Sequence, residues 1–189
     1  MESLRERKKV RTRRAIHEAA VRLFLERGFD QVTVADVAAE AETAVTTLFK
    51  YFPDGKVALA FPYDEDRPTA LRDAIRSRPT GTDALTAVEK FIRARGPFGP
   101  DRTISDAVLQ LIVTTPALRA YARQKWTDCE DTLAEVLAAE RGCEVNPEVR
   151  ALARFMLETP EIAGQEPDPG AAVGTIFGHL RAGWSEHGR

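Results

Sequence analysis

A helical repeat of apolar residues near the N-terminus stops at a glycine. The apolar positions follow the spacing i, i+3, i+4, i+7 and i+8 and are Ile16, Ala19, Ala20, Leu23 and Phe24. Gly28 stands where a residue in the left-handed conformation would end such a helix. The pattern predicts a first helix from about Glu6 to Arg27, with one face packed inward.

A second, shorter helix follows at once. Thr33 is a candidate N-cap, because a carboxylate, Asp36, stands three residues later. The inward-facing positions of this helix are Val34, Val37, Ala38 and Ala41, and it should end near Ala41. Residues 42–44 then form a turn, and this order predicts a helix-turn-helix.

The segment after the turn divides into two faces at helical spacing. The outward face holds hydroxyls and a cation, on Thr43, Thr46, Thr47 and Lys50. The inward face is apolar and consists of Val45, Leu48, Phe49 and Phe52. Hydroxyls and a cation suit a DNA groove, so we call this segment the reading helix and expect it to enter the major groove.

Three stretches together resemble the N-terminal signature of TetR-family transcriptional regulators. They are residues 23–29 (LFLERGF), residues 33–38 (TVADVA) and residues 47–53 (TLFKYFP) followed by Lys56. The resemblance covers roughly residues 12–59, and the joint spacing makes it specific. It implies an all-α homodimer with an N-terminal DNA-binding domain and a C-terminal domain for ligand binding and dimerisation, most often a repressor released by a small molecule.

The chain departs from the commoner family pattern around the reading helix. Glu42 replaces a glycine that is frequent in the turn. Ala44 replaces the usual serine cap of the reading helix, so we expect the cap at Thr43 instead. Thr46 stands for a frequent Gly. Phe49 stands for a frequent Tyr, which removes a hydroxyl able to bond phosphate, and Asp54-Gly55 adds one residue before Lys56.

DNA contacts are expected from three groups of residues. Thr43, Thr46, Thr47 and Lys50 should meet base edges or nearby phosphates. Thr33, Tyr51 and Lys56 should hold the DNA backbone, although Thr33 is first a cap and the ring of Tyr51 is equally suited to closing the core. The third group is a basic N-terminal arm that follows phosphates or enters a minor groove, represented by Arg7, Lys8, Lys9 and Arg11.

Charge distribution supports this division of the chain. Residues 1–14 contain seven basic and two acidic residues, whereas residues 61–189 contain 16 basic and 20 acidic residues. The alternative interpretation of the basic run is the solvated start of a helix. We expect a DNA-binding domain over residues 1–60 and a ligand-binding and dimerisation domain over residues 61–189.

The second part of the chain also has helical patterns, with Pro and Gly between them. Helices are predicted at about 55–61, 68–77, 82–95, 103–114, 116–140, 147–159 and 169–186, with Gly142 ending the fifth. Pro62 and Pro68 should kink or split the connector between the domains, with Asp66 capping its second piece. How this connector transmits ligand binding does not follow from the sequence.

The family resemblance implies a ligand pocket between the middle helices. Its candidate residues are Phe91, Leu109, Ile112, Tyr121, Trp126, Phe155 and Phe177, each of which is also a plausible core residue. No charged counter-ion stands out, so the ligand is expected to be hydrophobic or neutral. In the last helix a small residue recurs every fourth position, at Gly170, Gly174, Gly178 and Ala182, which suits a dimer interface or reflects composition alone.

Other classes of protein find little support. The 189 residues contain no run long enough to span a membrane and no secretion signal, so a cytoplasmic protein is expected. Cys129 and Cys143 suggest neither a disulfide nor a metal site, the three histidines are scattered, and no catalytic or cofactor motif occurs. The expected partners are a DNA operator, a second subunit and a small effector. The alternative is a small-molecule-binding or interaction protein of this fold without specific DNA recognition.

Overall fold

The computed structural model of the chain describes residues 4–61, 66–99 and 104–185. Within those ranges the backbone forms ten α-helices and a 3-10 segment, Gly55–Ala60, and no strand. The helices are α1 (Leu4–Arg27), α2 (Val34–Glu40), α3 (Val45–Tyr51), α4 (Arg67–Arg76), α5 (Ala84–Arg93), α6 (Asp106–Thr114), α7 (Pro116–Thr127), α8 (Glu130–Arg141), α9 (Pro147–Ala163) and α10 (Pro169–Ser185). The predicted all-α class with an N-terminal helix-turn-helix is confirmed.

The described residues form two compact units. The first consists of residues 4–61 together with 107–121, and the second of residues 66–99, 104–106 and 122–185. Residues 107–121 therefore pack with the first unit, although they follow residue 61 in the sequence. None of the described helices has the length and apolar character required to cross a membrane.

The first unit is built on α1, whose predicted apolar stripe is buried throughout. The Phe24 ring packs against Phe29, with 5.1 Å between ring centroids. Gly28 has φ +83° and donates its N–H to the carbonyl of Phe24 at 3.0 Å, so the predicted left-handed end of α1 is confirmed.

His17 links α1 to the 3-10 segment from within the first unit. Its Nδ1 lies 2.9 Å from the carbonyl oxygen of Leu59. A carbonyl oxygen only accepts, so the neutral ring must carry its proton on Nδ1. Burial of the imidazole lowers the pKa of His17, and the bond to Leu59 offsets only part of that effect.

Arg13 links α1 to the end of α3. Its guanidinium donates to the carbonyl oxygen of Tyr51, the last residue of α3, and its Cζ lies 4.1 Å from the centroid of the Phe52 ring. A cation at the C-terminus of a helix interacts favourably with the negative end of the helix dipole. Its N–H groups also satisfy a carbonyl that has no partner within the helix. Arg13 therefore holds α3 against α1.

The core of the second unit comes from α4, α5, α8, α9 and α10. Its fully buried members include Leu71, Ile75, Val88, Ile92, Leu133, Ala153, Met156, Val173 and Phe177. At the edge of this core, Glu89 of α5 accepts from Arg93 at 2.9 Å and from Arg181 of α10 at 2.5 Å. One carboxylate thus serves two guanidinium groups and connects α5 with α10.

The predicted single helix over residues 116–140 is wrong, because α7 and α8 are separate. At the junction the N–H of Cys129 bonds to Trp126 O at 3.1 Å, three residues back, which tightens the turn. Trp126, Cys129 and Leu133 are nevertheless all buried, so the predicted apolar stripe crosses the break. Neither Gly nor Pro marks this position in the sequence. Gly142, with φ +63°, ends α8 as predicted.

Two other predicted helices differ in kind or length. Residues 55–60 form the 3-10 segment instead of an α-helix. The helix expected to end at residue 159 continues through the buried Pro160 to Ala163. An interior proline removes one N–H donor and its ring clashes with the carbonyl four residues earlier, so the helix continues here because its buried residues, Pro160 among them, pack into the core.

The second part of the connector agrees with the sequence. Asp66 caps α4 by accepting from the N–H of Thr69 at 3.3 Å, and a proline, Pro68, stands in the first turn. Pro62 lies outside the described residues, as do Pro100 to Thr103 and His187.

Acid should destabilise the protein through His17. The folded-state pKa of His17 is below the ordinary value of 6.5, so the unfolded chain binds the proton more readily. The stabilisation is complete above pH 6.5 and is lost progressively as the pH falls from 6.5 through the lower folded-state pKa. We expect His17→Gln to flatten the fall in unfolding free energy between pH 7.5 and 5.5, measured by urea denaturation. Equal slopes in the unsubstituted protein and the His17→Gln variant would refute the assignment.

Replacement of Arg13 by Ala should lower the free energy of unfolding by about 2 kcal/mol, because a charge-assisted hydrogen bond and a ring contact are both lost. Arg14→Ala is the matched control. Among the described residues Arg14 pairs only with the exposed Glu18, at 3.0 Å, and this pair contributes less than about 0.5 kcal/mol. Similar melting curves for the two variants would contradict the role given to Arg13.

Candidate nucleic-acid interface

The turn between α2 and α3 closes with two backbone hydrogen bonds. Glu42 N–H bonds to Ala39 O at 3.1 Å, and Thr43 N–H bonds to Ala38 O at 2.9 Å. This is a Schellman motif, whose penultimate residue must be left-handed. Glu42 fills that position with φ +49°, at a cost of about 1 kcal/mol for a residue with a side chain. The turn geometry is therefore kept although glycine is absent.

The caps of the two helices differ. Thr33 caps α2 as predicted: its hydroxyl accepts from Asp36 N–H at 3.1 Å, and its own N–H donates to Asp36 Oδ2 at 2.7 Å. The bonds from the Thr33 side chain and backbone lower the pKa of Asp36. The cap predicted at Thr43 is wrong. Ala44 is the N-cap of α3, because its carbonyl accepts the first bond of the helix from Leu48 N–H at 3.0 Å, and its methyl side chain offers no capping bond. Thr43 therefore stands one residue before the cap position.

The exposed face of α3 is wider than the sequence predicted. Thr46 and Lys50 are exposed, and Thr47 is half-buried. Leu48 and Phe52 are fully buried, as expected for the inward face.

Two residues assigned to that inward face are on the surface instead. Val45 is 39% exposed and Phe49 is 45% exposed. At 100° per residue, positions 45 and 49 lie between the buried stripe and Thr46, so they border the core without entering it. The exposed face thus consists of Val45, Thr46, Phe49 and Lys50, and we call it the α3 face.

The predicted basic residues are available to a polyanion, but they are helical. Arg7, Lys8, Lys9 and Arg11 are exposed in the first turns of α1, so they do not form an extended arm. Neither these four side chains nor Lys50 makes a hydrogen bond or ion pair with any other described residue. Lys56 is held in place: its Nζ lies 3.4 Å from Asp30 O and 4.3 Å from the centroid of Phe29.

The seven candidate pocket residues divide between the two units. Leu109, Ile112 and Tyr121 belong to the first unit. There the Tyr121 hydroxyl donates to Asp54 Oδ2 at 2.7 Å, and the Tyr121 ring lies 5.3 Å from the Phe61 ring, measured between centroids. The Asp54-Gly55 segment, which is one residue longer than the family pattern, thus makes a structural contact through Asp54. No pattern in the sequence signals this long-range pair.

The other four candidates lie in the second unit, in different surroundings. Phe91 and Trp126 pack edge to face at 6.3 Å, and Phe177 is fully buried in the same core. Phe155 faces solvent on α9, with 60% of its surface exposed.

A cavity of about 410 Å³ lies between α4 and α5 in the second unit. Its apolar wall includes Ala70, Ala74, Ala87, Phe91 and Ala94. Phe91 is the only member of the predicted set on this wall. Arg78, Lys90 and Arg95 also line it, so the cavity is amphipathic.

The small residues of α10 divide into two pairs. A side chain at Gly170 would meet the carbonyl oxygen of Phe98 at 3.2 Å, and one at Gly174 would meet Nη2 of Arg93 at 2.9 Å. These two glycines therefore make room for α5 and the segment after it within the same subunit. A side chain at Gly178 would meet nothing within 4 Å, and Ala182 is exposed.

Comparison with known proteins agrees with this geometry. The family model of bacterial regulatory proteins of the tetR family matches residues 16–61, and a model of the MftR C-terminal domain matches residues 82–163. The chain is 30% identical over 142 residues to MftR of Mycobacterium tuberculosis, provisionally named a mycofactocin biosynthesis transcriptional regulator, covering 72% of this chain and 69% of MftR. It is 28% identical over 169 residues to the HTH-type transcriptional regulator TcmR of Streptomyces glaucescens, covering 86% of this chain and 74% of TcmR.

Solved structures share the fold at lower identity. GusR of Salmonella enterica superposes with a TM-score of 0.56 at 18% identity, covering 90% of this chain and 94% of GusR. A TetR-family transcriptional regulator from Streptomyces coelicolor gives a TM-score of 0.51 at 16% identity, covering 93% of this chain and 98% of the other. These structures show the fold, whereas the two family models and the similarity to MftR show that the chain belongs to the TetR family and is a DNA-binding transcriptional regulator rather than an enzyme.

Proposed function

We propose that the protein is a homodimeric repressor, located in the cytoplasm, that binds a palindromic operator and leaves it when a small effector binds. The observation that carries this proposal is the exposed α3 face, on which Lys50 has no partner among the described residues. An exposed cation without a structural task is suited to a phosphate or to the acceptors of guanine. Two such faces in one dimer would fit two half-sites about one helical turn apart or somewhat more.

The DNA contacts follow from the surroundings of each residue. Thr46 and Lys50, with the half-buried Thr43 and Thr47, meet base edges or adjacent phosphates. Thr33, Tyr51 and Lys56 hold the DNA backbone, with the hydroxyl of Thr33 shared with its capping role. The exposed cations at the start of α1 add salt-dependent affinity without base readout; they are Arg7, Lys8, Lys9 and Arg11. DNA binding is thus assigned to residues 1–60, and effector binding and dimerisation to residues 61–189.

The face formed by α9 and α10 is proposed as the dimer interface. Phe155 and Ile162 are seven residues apart on α9, on one side of the helix, and are 60% and 51% exposed. Exposed large apolar side chains on one face are typical of an interaction surface. On the adjacent α10, Gly178 and Ala182 leave room for close approach, whereas the space beside Gly170 and Gly174 is already used within the subunit.

The effector is proposed to bind in the second unit. The apolar wall of the cavity between α4 and α5 supports a ligand with a hydrophobic body. The cations Arg78, Lys90 and Arg95 beside that wall were not anticipated from the sequence. Release from DNA requires that the effector bind the conformation with the wrong half-site spacing more tightly than the DNA-bound one.

Selection from a randomised DNA pool at moderate salt should enrich a two-fold symmetric motif. On that motif, Lys50→Ala should weaken binding at least about 10-fold, since a groove contact is lost in each half-site. The loss of affinity should exceed any loss of thermal stability, because Lys50 makes no hydrogen bond or ion pair with another described residue.

Arg76→Ala is the matched control, an exposed cation at the end of α4 outside the proposed interface. It should bind as the unsubstituted protein does. An asymmetric motif would refute the palindromic dimer. Enrichment of no sequence, even at low salt, would favour a protein of this fold without specific DNA recognition.

Replacement of Phe155 by Lys should dissociate the dimer, because two charges would enter an apolar interface. We expect the dissociation constant measured by sedimentation equilibrium to rise at least about 100-fold. Leu25→Lys, an equivalent change at an exposed apolar residue of α1, should leave association unchanged. A Phe155 variant that associates normally would rule out the α9 and α10 face.

A further inference from the structure

We propose that Val45 and Phe49 recognise thymine methyl groups in the major groove and so determine specificity for A·T pairs in the operator. The inference rests on the proposed operator binding and adds the chemical group that is read. It assigns a DNA-binding role to two residues that the sequence pattern places inside the protein.

The first observation is that Val45 and Phe49 stay partly on the surface, whereas other side chains of this segment close the core. Leu48 and Phe52 are fully buried, and the Arg13 guanidinium stacks on the Phe52 ring. Phe49 lies beside Gly55, where an added side chain would come within 3.8 Å of its ring, and still leaves 45% of its surface in water. An exposed aromatic ring gains free energy when an apolar partner covers it.

The second observation is the position of the pair. Val45 and Phe49 are one turn apart, so their side chains adjoin on the same side of α3. Thr46 and Lys50 adjoin them on the same exposed face. A helix that places Thr46 and Lys50 in the groove therefore brings the apolar pair to the groove as well.

The chemistry of the side chains selects one feature of DNA. Neither Val nor Phe offers a donor or acceptor, so neither is able to bond a phosphate or a base edge. Among the four bases only thymine carries a methyl group on its major-groove edge. Against guanine or cytosine, the same side chains would cover polar edges without satisfying them, and such sequences would bind less tightly.

Deoxyuridine provides the direct test, since it differs from thymidine only by that methyl group. In the operator obtained by selection, each thymine of the half-site is replaced in turn, symmetrically in both halves. At one or two positions the unsubstituted protein should bind about 10-fold more weakly, which corresponds to roughly one buried methyl in each half-site.

The assignment to particular residues comes from a double-mutant cycle. Val45→Ala and Phe49→Ala remove exposed apolar groups and should each abolish the effect of deoxyuridine at one sensitive position. Leu25→Ala, at an exposed apolar residue of α1, should retain the full effect.

Each alternative result overturns the inference in a recognisable way. An operator that is bound equally well with uracil at every position would reject methyl recognition while leaving the proposed function intact. If the effect of deoxyuridine persists in both the Val45→Ala and the Phe49→Ala variants, residues other than Val45 and Phe49 recognise the methyl groups. A change in association state on replacing Val45 or Phe49, without a methyl effect, would show that the pair contacts protein. Failure to enrich any sequence would overturn both the inference and the proposed function.

Discussion

The reading helix α3 depends on a contact supplied from outside it, the guanidinium of Arg13. A helix of seven residues is too short to be stable alone, and Ala44 gives α3 no side-chain cap at its N-terminus. The buried Leu48 and Phe52 pack one side of this segment against the core. Arg13 donates a hydrogen bond to the carbonyl of Tyr51 at the C-terminal end of α3. The same helix α1 carries the exposed cations Arg7, Lys8, Lys9 and Arg11, all within two turns before Arg13. The position of those cations relative to α3 is therefore set by the residue that holds α3.

Features encoded over a few residues were predictable. The left-handed glycine after α1, the capping box of α2 and the Gly142 stop were all predicted, because each depends on two to four neighbouring residues. The break at Cys129 and the passage of α9 through Pro160 were missed, because both result from packing in the second unit. The predicted cap at Thr43 was wrong for a local reason. The residue type was suitable, but α3 begins at Val45, so Thr43 lies one residue before the cap position.

The candidate site was only partly predictable. Helical periodicity placed Thr46 and Lys50 outward correctly, but it assigned Val45 and Phe49 inward, since periodicity gives the direction of a stripe and not the width that a short helix is able to bury. Arg13 shares the inward face of α1 with Ile16 and Ala20, a spacing that was visible without indicating its partner. Aromatic residues proposed for one pocket were separated between two units, because composition does not distinguish a core from a cavity.

The arginine lying against α10 has a consequence for communication within the second unit. Nη groups of Arg93 occupy the space before Gly170 and Gly174, while Glu89 joins Arg93 to Arg181. Rotation of α10 about its own axis would drive a backbone or a side chain into Arg93 and displace α5. Close packing at these glycines therefore couples the movement of α10 to that of α5. Since α5 also lines the cavity, a shift of α10 at the proposed subunit interface would alter the shape of the cavity.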